Sequence, residues 1–194
     1  MMDFYQLSSK SPSPETPDKG WLAEAQRTLL CKSCNAPRMT TNGIDVTIQG
    51  VPDKSALNFV PGICVGVAAV RFLRALLPEG AAEFLRLGKV FDSNRRELPD
   101  VVTFMGYKTV VIRGGPKSGF RLCPECGRIC YSPVGKRYVL RRNVGDASVL
   151  DAWFGTLVVS DPVAQRVIGG KWKNLVVQKL EVRDEPVDGL DVPA

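Results

Sequence analysis

Two short pairs of cysteines constrain the fold of this chain more than any other feature of its sequence. The pairs are Cys31 with Cys34 and Cys123 with Cys126, and both have the CxxC spacing. Two thiolates at this spacing on a tight turn point towards one metal ion, and two such turns supply the four sulfurs of a closed tetrahedral zinc site. We therefore predict one structural Zn²⁺ per chain, with Cys31, Cys34, Cys123 and Cys126 as its ligands.

The residue that follows each pair supports this prediction. Asn35 follows the first pair and Gly127 follows the second. Asparagine and glycine tolerate a positive φ better than other residues, and a turn of this kind tends to need one at this position. We therefore expect both residues to adopt the left-handed conformation.

Cys64 and Cys130 are the remaining cysteines, and both are left out of the predicted site. Cys64 lies in an apolar stretch, where a cysteine is usually a small buried hydrophobic residue. Cys130 lies four residues after Cys126 and could replace a ligand, but its neighbours Ile129 and Tyr131 favour a strand that leaves the turn. Disulfide or redox chemistry is the alternative to zinc for the two pairs, although a redox CxxC motif needs only one pair.

The residues that the chain lacks narrow the classes of function. The sequence contains no histidine, which excludes Ser-His-Asp and Cys-His catalysis and any catalytic zinc bound through imidazole. A zinc ion bound by four cysteines also has no open position for a substrate, so we expect a protein that is not an enzyme. The sequence shows neither a secretory signal nor an apolar run long enough to cross a bilayer. We therefore expect a cytoplasmic protein with reduced thiols and no membrane partner.

Positive charge is concentrated around the second cysteine pair. The formal net charge is +6, and residues 111–150 carry eight basic and two acidic side chains. Four thiolates around a dication have a net charge of about −2, so part of this surplus balances the metal site. The other interpretation is a phosphate-contacting patch on a zinc ribbon, although the block lacks the aromatic interleaving that base stacking uses. The eight basic residues are Arg113, Lys117, Arg121, Arg128, Lys136, Arg137, Arg141 and Arg142.

Periodicity predicts the elements of the first half of the chain. Residues 2–7 and 43–50 alternate apolar with polar side chains, as half-buried strands do. Residues 8–20 are rich in serine and proline, which indicates an exposed loop. Residues 66–77 place apolar side chains on one helical face and predict a helix, and residues 81–87 suggest a second short one.

Strands dominate the predictions for the second half. Residues 101–105 and 109–113 are β-branched runs that predict a hairpin. Residues 128–131 and 137–140 predict the two strands of the ribbon's hairpin. A last strand–helix–strand unit can place two neighbouring strands in one sheet with the helix across it. Its elements are residues 156–159, residues 163–168 with Asp161 as the helix cap, and residues 175–182.

Together these elements predict an α+β fold with mixed or antiparallel sheets and few helices, built around a split zinc ribbon with four cysteine ligands. Because residues 35–122 separate the two cysteine pairs, we expect the segment between them to be an elaboration of the ribbon whose two ends are held together by the metal. We expect a single globular domain over residues 1–183. Its parts are the ribbon (21–40 and 118–142), the elaboration (43–117), the exposed loop (8–20) and a C-terminal strand–helix–strand part (150–183), with a flexible acidic tail at 184–194.

A series of motifs along the chain has the order seen in one bacterial protein family. Phe4–Leu7 is followed by Trp21, the first CxxC pair and a Gly-Ile-Asp-Val-Thr-Ile strand that ends in Gly-Val-Pro. After a variable middle come Cys-Pro-Glu-Cys-Gly-Arg, an Asp151-Ala152 turn and the closing strand, helix and strand. This order, over residues 2–183, resembles the double-CXXCG immunity proteins, which are encoded beside polymorphic toxins delivered by cell contact. The four cysteines match the family motif residue by residue, with Asn35 in place of glycine after the first pair, and residues 53–117 match no motif.

The resemblance implies a function and a partner. Proteins of this kind bind, in the cytoplasm, a toxin domain made by a sibling cell or by the cell itself. They block it by covering its active site or by holding it out of its competent shape, and neither action requires catalysis. The resemblance therefore predicts an immunity protein that neutralises a cognate toxin, encoded by the adjacent gene, through stoichiometric protein–protein interaction. A zinc-ribbon protein that binds nucleic acid or acts as a regulator is the alternative.

Overall fold

The computed structural model describes most of the chain, namely residues 2–10, 16–38, 43–50, 56–60, 63, 65–77, 83–153 and 155–190. Within these ranges the chain forms four helices and three sheets, in which parallel and antiparallel strand pairs are mixed. The predicted α+β class with mixed sheets and few helices is confirmed. None of the four helices is long and apolar enough to cross a membrane.

Strands outnumber helices in the described part of the chain. In chain order the elements are β1 (Phe4–Ser9), β2 (Thr16–Pro17), α1 (Lys19–Thr28), β3 (Val46–Gln49), β4 (Leu57–Val60), β5 (Val65–Ala69), α2 (Val70–Leu76), β6 (Leu85–Phe91), β7 (Glu97–Gly106), β8 (Gly119–Leu122), β9 (Ile129–Ser132), β10 (Tyr138–Leu140), α3 (Arg141–Val144), β11 (Val149–Asp151), β12 (Leu157–Ser160), α4 (Asp161–Ile168) and β13 (Leu175–Arg183).

Two large sheets form the body of the protein. One has six strands in the order β2-β3-β6-β7-β5-β4, and the other has five in the order β10-β13-β1-β12-β11. Helices α2 and α4 share one hydrophobic core with both sheets. Helix α1 packs on the other face of the six-stranded sheet, and α3 packs with Val110 on the other face of the five-stranded sheet. The third sheet is the hairpin β8–β9, and the three described cores contain no residue of it.

Strand β1 lies at the centre of the five-stranded sheet and pairs antiparallel with both β12 and β13. The predicted strand near the start of the chain is therefore confirmed, as are the two strands and the helix of the final unit. These two strands share a sheet as expected, but they are not neighbours because β1 lies between them. Ser160, and not the predicted Asp161, is the N-cap residue of α4.

Two helices predicted in the middle of the chain are partly strands, although most of the first one, over residues 66–77, is helical as expected. Residues 65–69 form β5, and only residues 70–76 are helical. All five residues of β5 are buried, so the sequence lacks the alternation that distinguishes a strand from a helix. Residues 85–91 form β6, so a helix expected over 81–87 is a strand from residue 85 on, and residues 81–82 lie outside the described ranges.

The strands of the two predicted hairpins are paired differently. Strand β7 forms, but it pairs with β6 and β5, and residues 109–113 contribute only single bridges, from Thr109 to Asp151 and from Arg113 to Tyr138. At the second cysteine turn, β9 pairs with β8, whereas β10 joins the five-stranded sheet beside β13. The ribbon hairpin therefore spans residues 119–132, and the prediction that residues 137–140 form its second strand is wrong.

Two segments expected to lack structure contain ordered parts. In the predicted loop over residues 8–20, β1 continues to Ser9, Thr16–Pro17 pairs with β3, and α1 begins at Lys19. In the predicted flexible tail, Asp188 is buried and bound by a buried arginine, so the prediction is wrong there. Residues 11–15 and 191–194 lie outside the described ranges.

Candidate metal centre and the adjoining cleft

The first cysteine turn begins three residues after helix α1. The buried side chain of Leu30 anchors the chain in the core beside α1. The Cys31 N–H donates to the Ala36 carbonyl at 2.8 Å, and the Asn35 N–H donates to the Cys31 carbonyl at 2.8 Å. Asn35 has a φ of 52°, which is the left-handed conformation predicted from the sequence.

The second cysteine turn repeats this geometry between β8 and β9. The Cys123 N–H donates to the Arg128 carbonyl at 2.9 Å, and the Gly127 N–H donates to the Cys123 carbonyl at 2.9 Å. Gly127 has a φ of 67°, again as predicted. Both CxxC pairs therefore form the same kind of turn.

The two turns bring their four sulfurs together. Cys31 Sγ lies 3.6 Å from Cys123 Sγ, and Cys34 Sγ lies 3.7 Å from Cys126 Sγ. All four sulfurs lie within 4.8 Å of one another, and none takes part in a disulfide. Sulfurs bound at about 2.3 Å to one tetrahedral ion are about 3.8 Å apart. The four predicted ligands are thus positioned to hold a metal ion.

The surroundings of these thiols, which shift their pKa values, also favour the binding of a cation. Hydrogen bonds from the backbone N–H groups of Cys126 and Glu125 lower the pKa of Cys123 to about 6. Burial raises the pKa of Cys31 and the pKa of Cys34. A cation among the sulfurs provides the positive charge that buried thiols need to ionise, so this donor set fits a thiolate-binding metal.

Two side chains from the second turn hold it against the first. The Glu125 carboxylate accepts hydrogen bonds from the Ser33 backbone N–H at 3.2 Å and from Cys31 Sγ at 3.4 Å. Without a metal, when Cys31 keeps its thiol proton, the bond from Cys31 is the main reason that the pKa of Glu125 is lowered. Arg128 Nη2 donates to the Pro37 carbonyl at 3.2 Å. Sequence reasoning missed both side chains, because a glutamate between two cysteines gives no sign of its distant partner.

The two cysteines outside the predicted site differ in what can be said of them. Cys130 lies on β9 opposite Arg121, as expected for a strand that leaves the turn, and it is not one of the four clustered sulfurs. Cys64 lies outside the described residues. The group that could hold a metal is therefore the predicted set.

A cleft adjoins the metal centre. It has a volume of about 800 Å³ and is bounded by the ribbon hairpin β8–β9, the first cysteine turn and residues 110–112. Three arginines line it, together with aromatic and aliphatic side chains, and no aspartate or glutamate of the described ranges does. The arginines are Arg121, Arg128 and Arg137, and the aromatic residues are Phe120, Tyr131 and Trp153.

Trp153 is held in place on the wall of this cleft. Its φ of 67° is left-handed, which is uncommon for an aromatic residue. The buried Asp151 carboxylate accepts hydrogen bonds from the Trp153 N–H at 2.7 Å and from the Gly106 N–H at 2.9 Å. The Arg128 guanidinium lies 3.5 Å from the centre of the Trp153 ring. This contact joins the ribbon to the five-stranded sheet.

A buried ion pair between Arg113 and Asp188 connects the C-terminal tail to the rest of the protein. Arg113 donates to both carboxylate oxygens of Asp188, from Nε at 2.8 Å and from Nη2 at 2.6 Å, and Nη2 also donates to the Leu190 carbonyl at 2.6 Å. The Tyr131 hydroxyl of β9 donates to Asp188 at 2.6 Å. No local pattern in the acidic tail distinguishes Asp188 from its neighbours, so this connection was not predictable from the sequence.

The structure divides the basic block into two groups. Arg113, Lys136 and Arg141 each form an ion pair with an acidic residue of the last strand or the tail. The three arginines of the cleft form no ion pair with any described carboxylate. Lys117 and Arg142 also form no ion pair with a described carboxylate, so three of the block's five unpaired cations line the cleft.

Fold and site together define an α+β protein in which two cysteine turns, 92 residues apart, meet in a four-thiol site that can hold a metal. No protein-family model matches the chain, and a search of the curated proteins finds no match.

Proposed function

We propose that the metal is a single structural Zn²⁺ and that this chain is an immunity protein that binds and neutralises a cognate bacterial toxin. One observation carries the proposal: the four cysteines that match the double-CXXCG motif come from distant parts of the sequence and cluster at one point. Four thiolates fill the tetrahedral coordination of zinc, so the ion acts as a structural clip and leaves no position for a substrate.

The surroundings of the site are consistent with a binding protein. The clip joins the ribbon hairpin to a body built from two large sheets, and it holds the hairpin beside a cleft with arginine and aromatic side chains. Arginine, tyrosine and tryptophan are the residues that most often dominate the binding energy of protein interfaces. Stoichiometric inhibition requires such a surface on a rigid scaffold and needs no reaction at the metal.

Co-expression tests the proposed function. The gene for this chain is expressed together with the toxin domain encoded by the adjacent open reading frame, and growth is measured. The wild-type chain should restore growth and should co-purify with the toxin domain in a fixed stoichiometry. Growth arrest despite normal levels of the folded chain would refute the pairing.

Metal analysis tests the identity of the ion. The chain purified without chelator should contain about one zinc per molecule. Protein that is folded and free of metal under these conditions would rule out the structural zinc.

The alternative function is nucleic-acid binding, and the unpaired arginines of the cleft are the observation that favours it. Binding of this kind weakens steeply as salt concentration rises, with a slope that reflects the number of phosphates contacted. Absence of binding to DNA and RNA at low salt would dismiss this alternative.

A further inference from the structure

We infer that the cleft beside the metal centre is the docking surface for the toxin, and that its occupant is an extended, acidic segment of the toxin domain. This inference rests on the proposed function and specifies the partner's chemistry.

Charge is the first argument for an acidic occupant. Arg121 is exposed and forms no hydrogen bond or ion pair within the described ranges. Arg137 donates to the Gln6 amide oxygen at 2.9 Å, and no described carboxylate pairs with it. Arg128 donates to a backbone carbonyl, and its charge interacts with the buried Asp151 carboxylate. Interfaces place opposite potentials against each other, because like charges brought together cost several kcal/mol. A segment that carries carboxylates fits this cleft, and a basic segment does not.

The backbone around the cleft argues for an extended segment. Residues 110–112 run between the bridges at Thr109 and Arg113, and no hydrogen bond among the described residues involves the backbone of Val111 or Ile112. On the other side, β9 has β8 as its one strand partner within the described ranges. Unpaired backbone of this kind accepts an added strand, whose main chain provides affinity while its side chains provide specificity.

Apolar side chains that line the cleft complete the surface. Phe120, Ile129 and Trp153 are partly exposed in the cleft, and its volume of about 800 Å³ is large enough for several side chains of a partner. Partly exposed aromatic residues beside arginines provide anchor points at the centre of an interface. The left-handed conformation of Trp153 holds one of these anchors in place before binding.

The same aromatic residues argue against single-stranded nucleic acid as the occupant. Base stacking requires an open ring face. The Arg128 guanidinium covers one face of Trp153 at 3.5 Å, and the Arg113 guanidinium lies 5.9 Å from the centre of the Tyr131 ring. One face of Trp153 is therefore closed to a base, whereas Arg121 remains available to carboxylates.

Calorimetric titration with the toxin domain encoded by the adjacent gene tests this inference on the full-length chain. The key variant is Arg121→Glu, because this side chain is exposed and unpaired and its reversal leaves the folded contacts intact. The matched control is Arg74→Glu, an exposed arginine on α2 that does not line the cleft. We expect Arg121→Glu to weaken the affinity at least tenfold, with a loss that shrinks as salt is raised, and Arg74→Glu to change it less than about twofold.

Each outcome separates this inference from the proposed function. If the wild-type chain binds the toxin and Arg121→Glu binds it as tightly as Arg74→Glu does, the docking surface is elsewhere and the immunity function stands. If the wild-type chain does not bind the toxin, both proposals fail. A 12-nucleotide single strand serves as a second probe. If it binds the wild-type chain but not Arg121→Glu, while that variant still binds the toxin, the cleft is a nucleic-acid site and this inference is overturned.

Discussion

Replacement of Asp188 by asparagine removes the buried carboxylate that connects the tail to Arg113 and to the ribbon hairpin. In the wild type, this carboxylate accepts two bonds from Arg113 and one from Tyr131, all between 2.6 and 2.8 Å. Solvent reaches 2% of the Arg113 side chain and 0% of the Asp188 side chain. Because asparagine carries no charge, Asp188→Asn leaves the Arg113 guanidinium buried without a counter-ion.

Two estimates give the size of the effect. Loss of one partner of a buried ion pair costs about 3–5 kcal/mol of unfolding free energy. Burial favours protonation of Asp188, but hydrogen bonds from Arg113 and Tyr131 outweigh it and lower the pKa to about 2, from an ordinary value of 3.8. This difference corresponds to about 2 kcal/mol at neutral pH. Because the folded-state pKa is the lower one, the stabilisation is present above about pH 4 and is lost as the pH falls towards about 2.

Urea denaturation, followed by tryptophan fluorescence with the metal bound, measures the difference. The matched control is Asp184→Asn, because Asp184 pairs with Arg141 at 2.6 Å in the same tail but with side-chain exposures of 74% and 42%. The control should lose less than about 1 kcal/mol, and Asp188→Asn should lose several times more. The gap between wild type and Asp188→Asn should narrow below pH 4. Equal losses in the two variants, or a gap that does not change with pH, would contradict this account of the tail.

Two further pairs of substitutions test the metal site. Cys123→Ser should abolish stoichiometric metal binding and lower the melting temperature, because the free energy of metal binding stabilises the folded state at such sites. The control, Cys130→Ser, should keep the full metal content. If Cys123→Ser retains the metal and the double variant loses it, Cys130 is a replacement ligand. Gly127→Ala should lower the free energy of unfolding by about 1–2 kcal/mol, because residue 127 has a positive φ. In the same thermal melts Gly119→Ala should lower it by less than about 0.5 kcal/mol, because residue 119 has no positive φ and a Cβ there meets open space. Similar melting temperatures for the two alanine variants would show that the second turn is not under this backbone constraint.

The cluster of four cysteines that can hold a metal could be predicted from the sequence because its chemistry is local. Each CxxC pair specifies its own turn, and Asn35 and Gly127 have the backbone conformation that the turn requires. The pairing of strands was less predictable. β8 is only four residues long, and one of them is Gly119, so it shows a weak strand pattern beside the stronger apolar run at residues 138–140. That run is buried because β10 belongs to the five-stranded sheet. Its hydrophobicity indicates that the strand is buried, but it does not indicate which strand it pairs with.

Contacts between distant residues account for the other errors. Asp188 and Arg113 are 75 residues apart, and nothing near either of them in sequence indicates that they meet.

Strand β5 is apolar along its whole length because both of its faces are covered, and a short run of this kind has no period from which to choose between strand and helix.

The position of the cysteine turns also determines the order in which the site can be made on the ribosome. Cys31 is synthesised 92 residues before Cys123, which at 5–20 residues per second is roughly 5–20 s. During that interval five of the six strands of the larger sheet are synthesised, β3 to β7, and only two of the site's four thiols are present. Strand β1 lacks its pairing partners for even longer, because β12 and β13 follow the second turn in the sequence. The nascent chain therefore carries two of the four thiols alone, where they can be oxidised. With the zinc proposed above, we expect the yield of metal-loaded protein to depend on the supply of metal and reductant during translation.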